Sequence, residues 1–389
     1  MLRLSVILSL GIVLVVFWAV PGWAQDSQVQ KKDIQTLEQE LDELKTTMQE
    51  RKQKREEKQE KLTRVLGFMD RLSVFGLVEV EGFYQSDYED NEKSDLELAT
   101  VELGMEANLH DYVSTNVLLL YEEPTDEDIE VDEAFITLGN PSKFPVYIKA
   151  GRQYLPFGDY KTAMISDTLT LEIAETQETA FQVKFEEQGI YGGAYAFNGD
   201  VEESGDSDDQ IENYGANLGY QMESGDLISD ISVSYISNIG DSDTLGDTLD
   251  EEANKAVQDY VPGLAASYSM GFESIALIGE YICALEEFEQ EEIEFEDDGA
   301  RFSAWNAELN YSLDIQGRET VLAAAYQGTQ EASDLELPEN RYMTSVSVGL
   351  FKNTVSLSLE YAYDQDYDQD EGGTDEQAHK VTSQVALDF

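Results

Sequence analysis

From residue 73 to the last residue, apolar and polar positions alternate with a period of two, in short segments separated by Gly, Asn and Asp clusters. Ala99, Val101, Leu103, Met105, Ala107 and Leu109 alternate with Glu102, Gly104, Glu106 and Asn108. The pattern returns at Trp305, Ala307, Leu309 and Tyr311, again at Val355, Leu357, Leu359 and Tyr361, and last at Val381, Ser383, Val385, Leu387 and Phe389. This period places alternate side chains on opposite faces of an extended strand. About 16 such segments can be counted, the first over 73–86 and the last over 378–389.

A soluble sandwich and a membrane barrel both use half-apolar strands, and three features favour the barrel. The polar faces carry Glu and Asn within long strands, which suits a wet lumen. Tyr (21) and Phe (16) are abundant and often fall at strand ends, as interfacial girdles do. The final strand ends on an aromatic residue, Phe389, like the assembly signal of outer-membrane barrels. Beyond the first 24 residues no stretch approaches 18 apolar residues. A membrane could therefore be crossed only by a closed barrel, in which the strands satisfy one another's backbone groups. The reading is an all-β transmembrane antiparallel barrel with an aqueous channel. Its connections alternate between short turns (187–189, 351–354) and long acidic loops (200–213, 240–258, 286–298, 331–340, 364–377), which matches short periplasmic turns and long outer loops.

Two segments precede the alternation. Met1–Arg3 and an apolar run from Leu4 to Val20 lead to Gly22 and Ala24, which reads as a secretory signal cleaved after Ala24. The run of 17 is short for a membrane anchor, which needs about 20 residues. From Asp33, a plausible N-cap, a 3–4 repeat runs Ile34, Leu37, Leu41, Leu44, Met48, Arg51, Arg55, Lys58, Leu62, Val65, Met69, Leu72. Nine of these 12 positions are apolar, which reads as a coiled coil and a route to homo-oligomers through residues 34–72. A single solvated helix is the alternative. The expected domains are a signal peptide (1–24), a periplasmic coiled-coil segment (25–72) and an outer-membrane β-barrel (73–389).

The net charge is −57. Residues 1–72 are nearly neutral, so the barrel region holds 70 of the 81 acidic groups and only 12 of the 24 basic ones. Such a surface repels nucleic acid and attracts cations. The lone Cys283 excludes an intramolecular disulfide, and two distant histidines, His110 and His379, leave little material for a histidine metal site or triad. No cofactor and no enzymatic activity are expected. The tip 364–376 carries Asp364, Asp366, Asp368 and Asp370, but Gln369 and Asp375 stand where a calcium loop needs Gly and Glu. It reads as a solvated hairpin tip.

One segment breaks the hairpin rhythm. Residues 151–178 join two strands without the acidic low complexity of the other loops, and Pro156 and Gly158 end the preceding strand. Lys149, Arg152, Lys161 and Lys184, four of the barrel's 12 basic residues, lie in it or in its flanking strands. With Tyr154 and the acids Glu172, Glu175 and Glu178, they are the candidate pore constriction or substrate contact. The alternative is an external loop pinned by ion pairs.

The words GRQYLPFG (151–158), ISDTLTLEIAETQETAFQV (165–183) and GGAYAFNGD (192–200) resemble the LbtU-type siderophore porins. The element GR-x-Y-x-PFG also resembles phosphate-selective porins more loosely. The first resemblance implies an outer-membrane barrel behind a signal peptide and a coiled coil, which accepts ferric siderophores without a TonB-driven plug. Independently, the roughly 48 residues between Ala24 and the first strand leave no room for a plug domain. The expected function is passive uptake of a small solute or ferric siderophore across outer-membrane lipid. A general cation-preferring porin and a barrel-anchored tether are the alternatives.

Overall fold

A computed structural model describes residues 52–55, 58, 71–123, 128–204, 210–253 and 256–389, with the side chains of 250–256 excepted. The chain divides into two compact units, Met1–Gly67 and Phe68–Phe389. In the first, 52–55 and 58 are helical. The signal peptide and nearly all of the coiled-coil seam lie outside the described residues.

The second unit is a closed barrel of sixteen antiparallel strands, each paired with its neighbour in sequence, the last closing on the first. They are β1 (Leu72–Ser86), β2 (Glu92–His110), β3 (Val113–Tyr121), β4 (Glu130–Leu138), β5 (Val146–Tyr154), β6 (Gln177–Glu187), β7 (Ile190–Phe197) and β8 (Asn213–Ser224). Then follow β9 (Leu227–Ile236), β10 (Gly263–Phe272), β11 (Ile275–Ala284), β12 (Ser303–Ile315), β13 (Arg318–Gln330), β14 (Asn340–Leu350), β15 (Val355–Gln365) and β16 (Gln377–Asp388). The all-β expectation and the count of sixteen hold.

The alternation resolves into an outer and an inner face. Ile231, Leu309 and Leu359 are each about half exposed at the outer surface (52%, 50% and 51%), whereas Gln327, Glu360 and Thr382 point inward and are buried. This is the inverse of a soluble sandwich and the arrangement a lipid-facing wall requires. Two-residue turns join the strands at one end. In 188–189 and 316–317 both residues have positive φ (Gln188 55°, Gly189 83°; Gln316 58°, Gly317 78°). That geometry matches the right-handed twist of the flanking strands. Where the ends of the sheet meet, Gly76 and Phe389 exchange backbone hydrogen bonds of 3.0 and 3.1 Å. The Phe389 ring lies so close that a Cβ on Gly76 would sit 2.6 Å from it.

The long connections leave the opposite end, as their lengths predict, and several of them fold further. The loop 237–262 folds into a helix, α2 (Asp243–Ala253), after a shorter one, α1 (Leu169–Ala174), in the loop 155–176. Leu245 and Leu249, one helical turn apart, are fully buried with Phe157, Ile173, Phe197, Val201, Ile239 and Phe302. Phe288 and Ile293 from the loop 285–302 join them. Most of the described acidic residues of these loops stay exposed, while the sparse apolar ones pack together, with Asp241 and Glu292 buried among them. Each buried Leu, Ile or Phe contributes about 1.5–3 kcal/mol, so the long loops form a cap with a true core.

Candidate functional site

The loop 155–176 leaves β5 and runs along the inner wall instead of outward. Gly158 N donates to Ser234 Oγ of β9 at 3.1 Å. Asp159 N and Tyr160 N donate to the two carboxylate oxygens of Glu280 on β11, at 2.6 and 3.2 Å, and Thr170 Oγ1 adds a third bond at 2.8 Å. Glu308 on β12 accepts from Thr162 Oγ1 (2.7 Å) and Ala163 N (2.8 Å). Glu360 on β15 accepts from Ile165 N (2.5 Å) and from Ser166 Oγ (2.7 Å). Leu169 N donates to Gln327 on β13 at 3.0 Å, and Ser345 Oγ of β14 donates to Ala163 O at 3.1 Å.

These anchors follow from local chemistry. A loop that leaves the backbone ladder must find partners for its N–H groups, and an ionised carboxylate is the strongest acceptor on offer. Glu280, Glu308 and Glu360 are at most 6% exposed and spend their charge on amides and hydroxyls of the loop. Thr168 caps α1 by accepting from Leu171 N at 3.2 Å. Pinning is thus by carboxylate–amide bonds, and an ion pair contributes at Lys161, which sits 2.7 Å from Asp159 and 3.6 Å from Asp230.

The eight residues singled out in the sequence fall in four places. Lys149 and Lys184 are on the inner faces of β5 and β6, and Lys149 Nζ lies 3.7 Å above the Phe135 ring. Lys161 is on the first half of the loop. Glu172, in the first turn of α1, feels Asp167 and, across the lumen, Arg341 of β14 and Lys380 of β16. Arg152, Tyr154, Glu175 and Glu178 line a cleft of about 680 Å³ at the loop end of the barrel, together with Asp132 and Asp243. Tyr154 donates to Asp132 at 2.8 Å. Burial, with Asp243 beside it, pushes the Glu175 carboxyl up to about 8. Asp243 itself rises to about 6, raised by burial and held back by Arg152. Burial likewise lifts Asp241, on the same cleft, to about 7.

The sequence reading missed the three anchoring glutamates and the cations facing α1. A signal was present: Gly279–Glu280–Tyr281, Ala307–Glu308–Leu309 and Leu359–Glu360–Tyr361 each set one Glu at an inward register between lipid-facing neighbours. Arg341 is bound to Asp364 by two bonds, at 2.9 and 3.0 Å. Among the described residues no group of three or more His, Cys, Asp or Glu side chains is arranged to hold a metal ion.

A sixteen-stranded closed barrel with a loop folded inward defines a class by its architecture, the porin-like barrels. The fold is similar to the outer membrane channel DcaP of Acinetobacter baumannii (TM-score 0.55, 13% identity, 82% of this chain and 97% of that one). It is equally similar to an anion-selective porin from Comamonas acidovorans (TM-score 0.55, 12% identity, 82% and 99%). At these identities the likeness is one of fold. In sequence, the chain is similar to a UPF0422 protein of Coxiella burnetii, 28% identical over 319 residues covering 79% of this chain and 68% of that one. It is similar also to the UPF0422 protein lpl2888 of Legionella pneumophila, 27% identical over 330 residues covering 77% of this chain and 60% of that one. The chain therefore spans only part of these relatives' length. No family model matches it.

Proposed function

We propose that the chain is an outer-membrane porin that admits solutes passively, without TonB coupling, through a lumen narrowed by the segment 151–178. The observation that carries this reading is the loop's path: it starts at β5 and is hydrogen-bonded to inner side chains as far round as β15. A loop held across the bore would restrict what passes. The barrel would sit in outer-membrane lipid with the expected coiled-coil segment that precedes β1 in the periplasm, where its pairing would give a homo-oligomer. No step of this function calls for catalysis or a cofactor.

The cargo we favour is a ferric siderophore, on the resemblance at 151–200. The runner-up, a general cation-preferring porin, draws on the acidic cleft at the mouth, whose charge is less than its carboxylate count because Glu175 and Asp241 are partly protonated near neutrality. Planar-bilayer recording of the purified protein tests both. Discrete channels blocked by a ferric siderophore support the first cargo, and channels indifferent to it support the second. A deletion of 159–168 that leaves conductance and selectivity unchanged would sink the narrowing role of the loop. A folded protein that forms no channels at all would return the molecule to the tether reading.

A further inference from the structure

In the barrel region basic side chains are few, yet two of them stand together on the inner wall. Lys93 of β2 and Lys380 of β16 are both direct register partners of Gln85 on β1, so Lys93, Gln85 and Lys380 form one row across three adjacent strands. The row faces the lumen, because its neighbour Tyr84 is exposed on the outer face and side chains alternate. Two strand spacings of about 4.8 Å separate the lysine backbones. Both ammonium groups lean over the same ring, Phe83, at 5.3 and 5.2 Å from its centre.

Neither lysine forms an ion pair among the described residues, and the Gln85 amide has no hydrogen-bond partner there. Acids surround the row without closing to an ion pair: Asp95 lies opposite Phe83, and Glu81, Asp167 and Glu172 are within electrostatic reach of Lys380. Glu81 is bound to Gln384 at 2.8 Å. The two lysines make no direct ion pair with these acids and share the Phe83 ring as a support. The place also matters. Thr382 follows Lys380 by one inward position on β16 and is the register partner of Glu360, which grips Ile165 and Ser166 at the loop tip. The row therefore lies beside the point at which Glu360 holds the loop tip.

We infer that Lys93, Gln85 and Lys380 form a binding station for a small multivalent oxyanion at the narrow part of the channel. Two ammonium groups and a carboxamide N–H₂ offer charge-assisted donors to anionic oxygens on separate arms of one ligand, and Phe83 orients the lysines towards it. This rests on the channel reading above and deepens it: the cargo is anionic, although the chain as a whole is strongly acidic.

The test is equilibrium binding to the folded full-length chain in detergent by titration calorimetry, with citrate and pyrophosphate as separate probes. Wild type should bind at least one of them, and the probe bound more tightly identifies carboxylate or phosphate chemistry. The double variant Lys93→Gln, Lys380→Gln should lose roughly tenfold or more in affinity, while Lys143→Gln, in a turn at the opposite end and paired with Asp111 (2.6 Å), should bind as wild type does. Absence of binding by wild type, or equal binding by the double variant, overturns the inference. Because binding needs no conduction, single-channel recording of the same samples reports separately on the pore: channels without oxyanion binding would leave the porin and remove the station.

Discussion

The wall and the cap of this molecule use the same apolar side chains for opposite purposes. On the wall, Ile231, Leu309 and Leu359 turn outward and stay half exposed. In the cap, Phe157, Ile173, Leu245 and Leu249 turn inward and vanish from the surface. The wall is a surface whose solvent is lipid, so its period is two outside three bulges and its polar partners line water. The cap is a small water-soluble core, so its apolar residues follow no common period and arrive from five different loops. One chain therefore carries two folding codes, and they should respond differently to the same insult.

The largest difference should come from Phe157→Ala. Emptying so large a buried site costs about 3–5 kcal/mol, and the cost should fall on the cap alone. Hydrogen exchange should show faster opening of 155–176 with unchanged protection of β12–β15. Equal loss of protection in both would merge the two regions into one cooperative unit. Next is Leu309→Arg at the middle of β12, where a cation on the lipid face costs roughly 2–4 kcal/mol. Urea titration into lipid vesicles should show this loss, whereas Asn108→Lys, on the lumen side of β2, should be nearly silent.

A smaller effect should follow Glu360→Gln. The neutral amide keeps one acceptor where the carboxylate had two, and weakening these bonds costs roughly 1–3 kcal/mol. Single-channel traces should become noisier at an unchanged mean barrel stability. The smallest effect is one of pH. Glu175 titrates near 8 in the folded cap against a reference of 4.5, so the folded state holds a proton that the unfolded state has lost. Cap stability should be fully present below pH ~4.5 and decline as pH rises towards 8. Glu175→Gln should flatten that decline in exchange rates measured across the window, and an unchanged slope would locate the proton elsewhere.

Those contrasts also explain what could be read from the residues. The alternation over 73–86 forms the strand Leu72–Ser86, and that over 378–389 forms Gln377–Asp388. The wall is legible because its rule is local: lipid on one side and water on the other imposes alternation at every residue. The cap was not legible because Leu245 and Leu249 are two apolar residues among many acids, and their burial depends on loops from elsewhere in the chain. The site was half legible. The unusual composition of 151–178 marked the loop that turns inward, but Thr170 finds Glu280 across 110 residues, and such pairings depend on the circumference of the barrel. For the same reason Glu172 faces Arg341 and Lys380, and Lys149 and Lys184 stand on a different part of the wall.

The loop's three carboxylate anchors also impose an order on assembly. The loop emerges after β5, but Glu280, Glu308 and Glu360 belong to β11, β12 and β15. A barrel growing strand by strand has no far wall to grip until most of its hairpins are in place. The loop is thus fully anchored only once the fifteenth strand is in place. From then on the loop acts as a strut, tying one side of the cylinder to the other and resisting its flattening into an ellipse.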